Sequence, residues 1–508
     1  ANFYNARLTS ADLTDAVIAG ANFAETTLNG FTKEQLYSTA SYKAKDLQRI
    51  SLSGNDLSGW NFAGQDLRAA NFYNARLTSA DLTDAVISGA NFEETTLIGF
   101  TKEQLYSTAS YKTKTLEGVS FQGSESFPRN DLSGWNFAGQ NLTGARFARS
   151  SLANTDFTDT IVKGADFAHT GLTKEQLYST ASYKAKNLRG IKFDDYDYNS
   201  SNDLTGWDFS GQDLTGAKFG RTLLAKSPGF GYPIIIPPPA DLSFADLRGA
   251  EFFLWERTVA TLRNTISPDG KINSLNLAAG ERLVAFADVP IPVVLVGGFS
   301  IAPNASVDLT DNAAILDNPG TSTASAVREH IISGRGGSGP GGDWTGTGIT
   351  SSTAAAANQA HPDSRSLGYA DNAKLPLGPY TSFHGAAVDE TSILIAFTRT
   401  GDANLDGVVN DDDVTIVGAT YAPGVPNGSW ALGDFDYNGF VDDDDVTLLG
   451  VFYDPSAQPF AVAASGIAAA TGVASVPEPS SFVLLFTMAA AILFGHRSRR
   501  AVYRQLSG

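Results

Sequence analysis

Large apolar residues in the first half of the chain recur every five positions. Phe3, Leu8, Leu13, Ile18, Phe23 and Leu28 stand at strict intervals of five. The residue two before each is small: Ala1, Ala6, Ala11, Ala16, Ala21 and Thr26. The series resumes from Leu47 to Leu97, then runs from Leu116 to Leu172, from Leu188 to Leu224, and through Leu242, Leu247 and Phe252, giving 38 such positions. This period matches neither the helical repeat of about 3.6 nor the strand repeat of about 2. It fits a square coil in which each pentapeptide forms one side. The large residue points inward at mid-face, the small one sits near a corner, and the residues between face water. Four pentapeptides close a turn, so the 38 positions predict nine or ten coils, a rod about 45 Å long at roughly 4.8 Å per coil.

A longer repeat lies over the short one. Ala1–Val17 recurs letter for letter at Ala70–Val86, and TKEQLYSTASYK begins at Thr32, Thr101 and Thr173. Thr32 with Gln35, Thr101 with Gln104, and Thr173 with Gln176 read as capping boxes that each open a short helix. Leu36, Tyr37, Leu105 and Tyr106 of these inserts are expected to pack on the coil. The stretches 122–131 and 194–203 read as loops leaving a corner. The phrases ANF, ARL, ADL and GADF resemble the A(D/N)LXX pattern of the pentapeptide-repeat family over about residues 1–255. That resemblance implies a right-handed quadrilateral β-helix and a mainly β chain. Some members of the family imitate duplex DNA and bind topoisomerases. The rod's net charge of only −5 argues against that role, because such mimicry needs a strongly negative stripe.

The rhythm stops after Trp255. Residues 256–400 contain short β-like runs at 283–286, 293–296, 306–309, 313–316 and 393–397, separated by Gly/Ser/Pro turns. They predict a small all-β module. The phrases VDLTDNAAIL and GDWTGTGITSS resemble a module found ahead of dockerin-like tails in bacterial surface proteins. The run from Gly334 to Gly339 formally reads G-x-G-x-x-G. It follows a helical pattern at 324–331 instead of a strand, and no acidic residue stands at the expected place beyond it, so it reads as a loop and not a nucleotide site. The chain has no cysteine, which excludes disulfides, thiolate metal sites and a cysteine nucleophile. His169, His330, His361, His384 and His496 lack metal-ligand spacing. No G-x-S-x-G, H-E-x-x-H or P-loop is present, and no enzyme is expected.

Charge singles out one segment. The chain carries 54 acidic and 36 basic side chains, a net of −18, and residues 402–454 hold 12 aspartates with no Lys or Arg. Two stretches there align 32 residues apart, GDANLDGVVNDDDVTIVGATY from Gly401 and GDFDYNGFVDDDDVTLLGVFY from Gly433. Oxygen side chains fall at positions 1, 3, 5, 9 and 12 of each loop. In the first these are Asp402, Asn404, Asp406, Asn410 and Asp413. In the second they are Asp434, Asp436, Asn438, Asp442 and Asp445. Backbone carbonyls of Val408 and Phe440 would supply position 7. This alternation suits a hard cation with six or seven oxygen ligands, so two Ca²⁺ ions are expected. Gly407 and Gly439 would make the left-handed turn at position 6, and an apolar helix follows each loop.

Aspartate at position 12, with this loop–helix spacing, resembles the type I dockerin pair. That resemblance implies docking into a cohesin-like module or another surface protein, often in polysaccharide breakdown. Its recognition positions correspond here to Asp411, Asp412, Asp443 and Asp444, where the family usually carries small hydroxyl residues. Helix-N-terminal charge complementing the macrodipole is the competing account of these four. Without cation the clustered carboxylates would repel, so the segment is expected to be disordered in chelator.

The tail adds Val476, Pro477, Glu478 and Pro479, an uncharged apolar run from Ser480 to Gly495, then Arg497, Arg499 and Arg500. This order resembles the PEP-CTERM sorting signal and implies an exosortase partner. It also implies at least transient anchoring in a membrane and an extracytoplasmic location for everything before it. Residues 455–475, rich in Ala, Gly and Ser beyond 461, read as a linker. Ala1 falls inside a repeat, so the chain is expected to be a fragment of a longer protein. The expectation is a non-catalytic, envelope-sorted surface protein in which a β-helical scaffold (1–255) and a small module (256–400) present a calcium-dependent interaction module (401–454) ahead of the sorting signal (476–508). The alternatives are a polysaccharide-degrading assembly whose middle module binds or hydrolyses glycans, and a DNA-mimic regulator. Nucleic acid is not an expected partner.

Overall fold

The computed structural model describes residues 1–123, 130–194, 202–220, 222, 224, 239–252, 260–317, 323–337 and 342–459. The loops expected at 122–131 and 194–203, the 455–475 linker and the 476–508 tail lie wholly or mostly outside these residues. The chain forms two compact units, Ala1–Asp269 and Gly270–Gly508.

The first unit is a four-sided parallel coil. Asp46 pairs with Asp66, Ser51 with Asn71, Asp56 with Arg76 and Asn61 with Asp81, all parallel. Each pairing advances twenty residues, or four pentapeptides, as the sequence pattern requires. Leu47, Leu52, Leu57, Phe62, Leu67 and Phe72 are fully buried. Aromatic rings stack along the interior, as with Phe72 over Phe92, whose centroids lie 5.3 Å apart. The coil continues beyond 255, because Thr261 pairs with Asp241 and Ile266 with Asp246. The pattern had placed the end of the coil at 255 because its apolar marker is lost there, whereas the backbone pairing is not.

Two expected inward residues point outward. Leu28 is 92% exposed and Leu97 49% exposed, while Phe31 and Phe100 are buried. The chain winds into 3₁₀ turns at Thr27–Asn29 and Thr96–Ile98. These turns rotate the leucines out, and Phe31 and Phe100 take the inner places.

The three inserts fold alike, each as two short helices: α1 (Lys33–Ser38) and α2 (Ala40–Lys43), α3 (Lys102–Ser107) and α4 (Ala109–Lys112), α5 (Lys174–Ser179) and α6 (Ala181–Lys184). All three capping boxes form. Thr39, with ψ 151°, breaks the first helix and caps the second. Gln35 does more than cap, because its Nε2 donates to the carbonyls of Leu8 and Ala11 at 2.8 and 2.7 Å. The inserts are thereby stitched to the coil. Leu36 and Leu105 are buried, and Tyr37 stacks on Tyr42 at 4.5 Å. Two strands, β1 (Lys218–Gly220) and β2 (Glu251–Phe252), pair in parallel late in the coil.

The second unit holds a different coil, with three faces. Its strands are β3 (Lys271–Ile272), β4 (Leu275–Leu277), β5 (Arg282–Val284), β6 (Val293–Leu295), β7 (Phe299–Ile301), β8 (Ser306–Asp308) and β9 (Ala314–Leu316). β3, β6 and β9 line one face, β4 and β7 the second, and β5 and β8 the third, all parallel. On the third circuit a helix, α7 (Ala324–Arg335), follows β9, and β10 (Gly348–Thr350) then joins β8. His330 of α7 packs edge-on against Phe299 of β7. After α8 (Ser352–Ala360), strands β11 (Arg365–Asp371) and β14 (Ile393–Arg399) extend the β9 face antiparallel, with the small hairpin β12 (Ser382–Phe383) and β13 (Ala386–Ala387) between them. The expected all-β module is therefore a β-coil that incorporates two helices. The last described elements of the unit are two loop–helix repeats, with α9 (Asp411–Thr420) and α10 (Asp443–Phe452) as their helices.

Candidate metal centre

Both acidic loops wrap as their spacing requires. Gly407 and Gly439 adopt left-handed backbone, φ 92° and 95°, and so do Leu405 and Tyr437 two residues earlier, φ 64° and 65°. Side-chain oxygens then fold back onto loop amides. In the first loop Asp402 accepts from the amides of Asp406 and Gly407 at 3.1 and 2.9 Å and from the Thr398 hydroxyl. Asn404 accepts from Asp406 N at 3.0 Å, and Asp406 from Val408 N at 3.1 Å. In the second loop Asp434 accepts from Gly439 N at 3.2 Å, Asp436 from Asn438 N at 2.9 Å, and Asn438 from Phe440 N at 2.7 Å.

Position 12 does two jobs. Asn410 and Asp442 are the N-caps of α9 and α10, and each completes a capping box with Asp413 or Asp445. The other oxygen of each position-12 carboxylate reaches across its loop. Asp413 accepts from Ala403 N at 2.8 Å, and Asp445 from Phe435 N at 2.7 Å. A helix-capping role alone would leave that oxygen in water. Here it is drawn into the loop, and both side chains are fully buried.

Asp434, Asp436 and Asp445 each offer an oxygen within 4.8 Å of the others, the only such acidic or histidine triple among the described residues. Asp434 is buried, and its Oδ1 has no hydrogen-bond partner. An orphaned buried carboxylate oxygen is costly unless a cation meets it. Burial pushes Asp413 and Asp445 up to about 7. Asp402, Asp406, Asp434 and Asp436 also rise, chiefly by burial. An all-oxygen, partly aspartate donor set with alternating spacing fits a hard divalent cation. Asp402, Asn404, Asp406, Asn410 and Asp413 would hold one ion, and Asp434, Asp436, Asn438, Asp442 and Asp445 the other.

The four aspartates at positions 10 and 11 are exposed at the starts of α9 and α10. Tyr421, at the end of α9, donates its hydroxyl to Asp443 at 2.5 Å, and Tyr453, at the end of α10, donates to Asp411. This reciprocal clasp ties the two repeats together and leaves Asp412 and Asp444 as the outer carboxylates.

Several residues that shape the site lie outside the loop pattern. Arg328 of α7 donates from Nη2 to Asp434 Oδ2 at 3.0 Å and to the Tyr437 carbonyl at 2.9 Å. Tyr380 donates to the Asn404 carbonyl at 2.8 Å. Trp430 Nε1 donates to the Asp402 carbonyl at 2.6 Å. Tyr437 bonds the Leu367 carbonyl of β11. Apart from Trp430 and Tyr437, no local signal marks these residues, because their separations along the chain are long. Among the described residues His330, His361 and His384 belong to no such triple.

The pentapeptide repeats family matches in eight copies, across residues 1–31, 46–84, 75–99 and 131–167. The N-terminal region is thus built of pentapeptide repeats, and they form the four-sided coil. Among solved structures, HetL, a pentapeptide repeat protein involved in heterocyst differentiation regulation from the cyanobacterium Nostoc sp. strain PCC 7120, is 20% identical, with 46% of this chain and 97% of that chain covered and a TM-score of 0.22. A trypsin-treated form of QnrB1, a plasmid-mediated fluoroquinolone resistance protein, is 15% identical, with coverages of 43% and 89% and a TM-score of 0.22. A pentapeptide repeat protein from the Arabidopsis thaliana thylakoid lumen is 26% identical over 30% of this chain and 84% of its own, with a TM-score of 0.13. No curated protein matches. Among the described residues no helix is long and apolar enough to cross a membrane.

Proposed function

We propose that this chain is a non-catalytic surface protein in which the pentapeptide-repeat coil acts as a scaffold and the paired acidic loops form a calcium-dependent, dockerin-like interaction module. The observation that carries this reading is the second loop, where Asp434, Asp436 and Asp445 each offer an oxygen within 4.8 Å of the others and the buried Asp434 Oδ1 has no hydrogen-bond partner. Two Ca²⁺ ions neutralise the buried carboxylates and fix α9 and α10. Asp411, Asp412, Asp443 and Asp444, exposed at the starts of the two helices, are then the recognition positions for a cohesin-like or other surface protein. In this reading the Pro477–Pro479 motif, the apolar run and the terminal arginines direct the chain through an exosortase to the extracytoplasmic envelope, with the membrane as at least a transient anchor.

Calcium titration of the full chain by calorimetry is the direct test. Two binding events are expected, reduced to one by Asp445→Asn. Absence of heat at millimolar Ca²⁺, with no calcium-dependent change in tryptophan emission, would refute the reading.

A further inference from the structure

The two loops are alike in sequence but not in surroundings. Asp402 is met by a hydroxyl and two amides, and among the described residues no Lys or Arg pairs with Asp402, Asp406 or Asp413. Asp434, at the equivalent position, is met by a guanidinium. Arg328 stands 106 residues earlier on α7, and its Nη2 bridges position 1 of the loop, Asp434 Oδ2, and the position-4 carbonyl, Tyr437 O. Its side chain is 18% exposed and Asp434's is 0% exposed. Arg335, about two turns further along α7, also lies against the Tyr437 ring, and both guanidinium carbons are 5.9 Å from its centroid. Asp434 Oδ1 is left without a hydrogen-bond partner.

We propose that Arg328 is a tethered cation that partly replaces Ca²⁺ in the second loop and couples that loop to the β-coil carrying α7. The proposal rests on the calcium reading above for its effect on affinity, but not for its effect on the calcium-free state. A fixed positive charge beside Asp434 offsets part of the carboxylate repulsion when no ion is bound, so the second loop stays closed in chelator while the first loosens. The same charge opposes an incoming cation, because affinity in such loops follows the charge of the ligand set. The second site is therefore the weaker and the more preformed of the two. Because Arg328 arrives from α7, whatever displaces α7 changes the second site and leaves the first untouched.

The test uses the full chain carrying Asp402→Asn, so that the second site is titrated alone with CaCl₂, and compares Arg328, Arg328→Gln and Arg328→Lys. The glutamine variant is expected to bind Ca²⁺ more tightly, on the order of tenfold. The lysine variant, which keeps the charge, should stay near the parent. In EGTA, hydrogen exchange over residues 434–445 should be slow in the parent and in Arg328→Lys and fast in Arg328→Gln. Unchanged or weaker binding by Arg328→Gln together with unchanged protection in EGTA overturns the proposal, and so does loss of protection shared equally by the lysine variant. If no protein, wild type included, binds Ca²⁺, the functional reading falls instead. The exchange result in EGTA then decides the role of Arg328 alone, with loss confined to the glutamine variant supporting it and no difference overturning it.

Discussion

An aspartate that is buried and converges with others is held at a cost set by its protonation state. Burial lifts Asp413 and Asp445 to about 7 in the cation-free protein, whereas the same groups in an unfolded chain ionise near 3.8. The folded state therefore binds more protons than the unfolded state between about pH 4 and pH 7. Stability in chelator is fully retained below pH 4, falls as pH rises through this window, and levels off above it. On the proposed calcium reading the ion competes with those protons, so apparent affinity is expected to climb up to about pH 7 and then flatten, with proton release on binding. Calorimetry in two buffers of different ionisation heat at pH 6 checks this. Equal apparent heats, meaning no protons released, would contradict it. The acidic residues themselves were legible in the sequence because position and chemistry coincide in a short loop. Arg328 was not, because nothing local relates it to Asp434 across 106 residues.

The pentapeptide reads differently as an element than as a row of apolar letters. The inward residues were visible from their period, but the backbone condition at the corner was not. The residue two after most inward positions is left-handed, as at Gly54, Gly59, Gly64, Ala69, Asn74, Ser79, Asp84 and Gly89. Gly, Asn and Asp tolerate that conformation best, which explains their enrichment at the corners. Ala69 shows that a Cβ is allowed where there is room. At Gly99 there is none, because φ is +110° and an added Cβ would lie 2.2 Å from Thr78 Oγ1 and 2.7 Å from Thr78 N. Gly99→Ala is expected to cost about 3 kcal/mol. Gly59→Ala, where nothing lies within 4 Å, should cost about 1 kcal/mol. Urea midpoints compare the two variants, and equal shifts would show that crowding by Thr78 does not matter. The outward Leu28 and Leu97 have the same lesson, since a 3₁₀ turn breaks the register that the period assumed.

At the scale of the whole molecule, the acidic loops do not form an isolated module. Trp430 is fully buried, bonds the first loop at Asp402 O, and lies so close to β11 that a Cβ on Gly368 would come within 2.4 Å of its Nε1. Thr398 of β14 and Tyr380 hold the first loop, and Leu367 of β11 meets Tyr437 of the second. Ligand binding is therefore expected to reach beyond the loops. Hydrogen exchange should slow on calcium addition in 402–413 and 434–445 and also in β11 and β14, while coil segments such as 46–84 stay unchanged. Slowing confined to the loops would show that the packing of Trp430 and Tyr437 transmits nothing.

The sequence by itself determined what local chemistry can encode. The five-residue period dictates a four-sided coil, the Thr–Gln pairs dictate capped helical inserts, and alternating aspartates with a glycine dictate two acidic loops that fold back on their own amides. Each follows from residues a few positions apart acting on their own backbone. Only the tertiary structure decided the rest. The three-faced coil escapes the pattern because its strands are two or three residues long and its circuits differ in length, with a helix entering the third. The inequality of the two loops escapes it because charge compensation depends on what packs beside a carboxylate, and here that neighbour comes from α7, far along the chain.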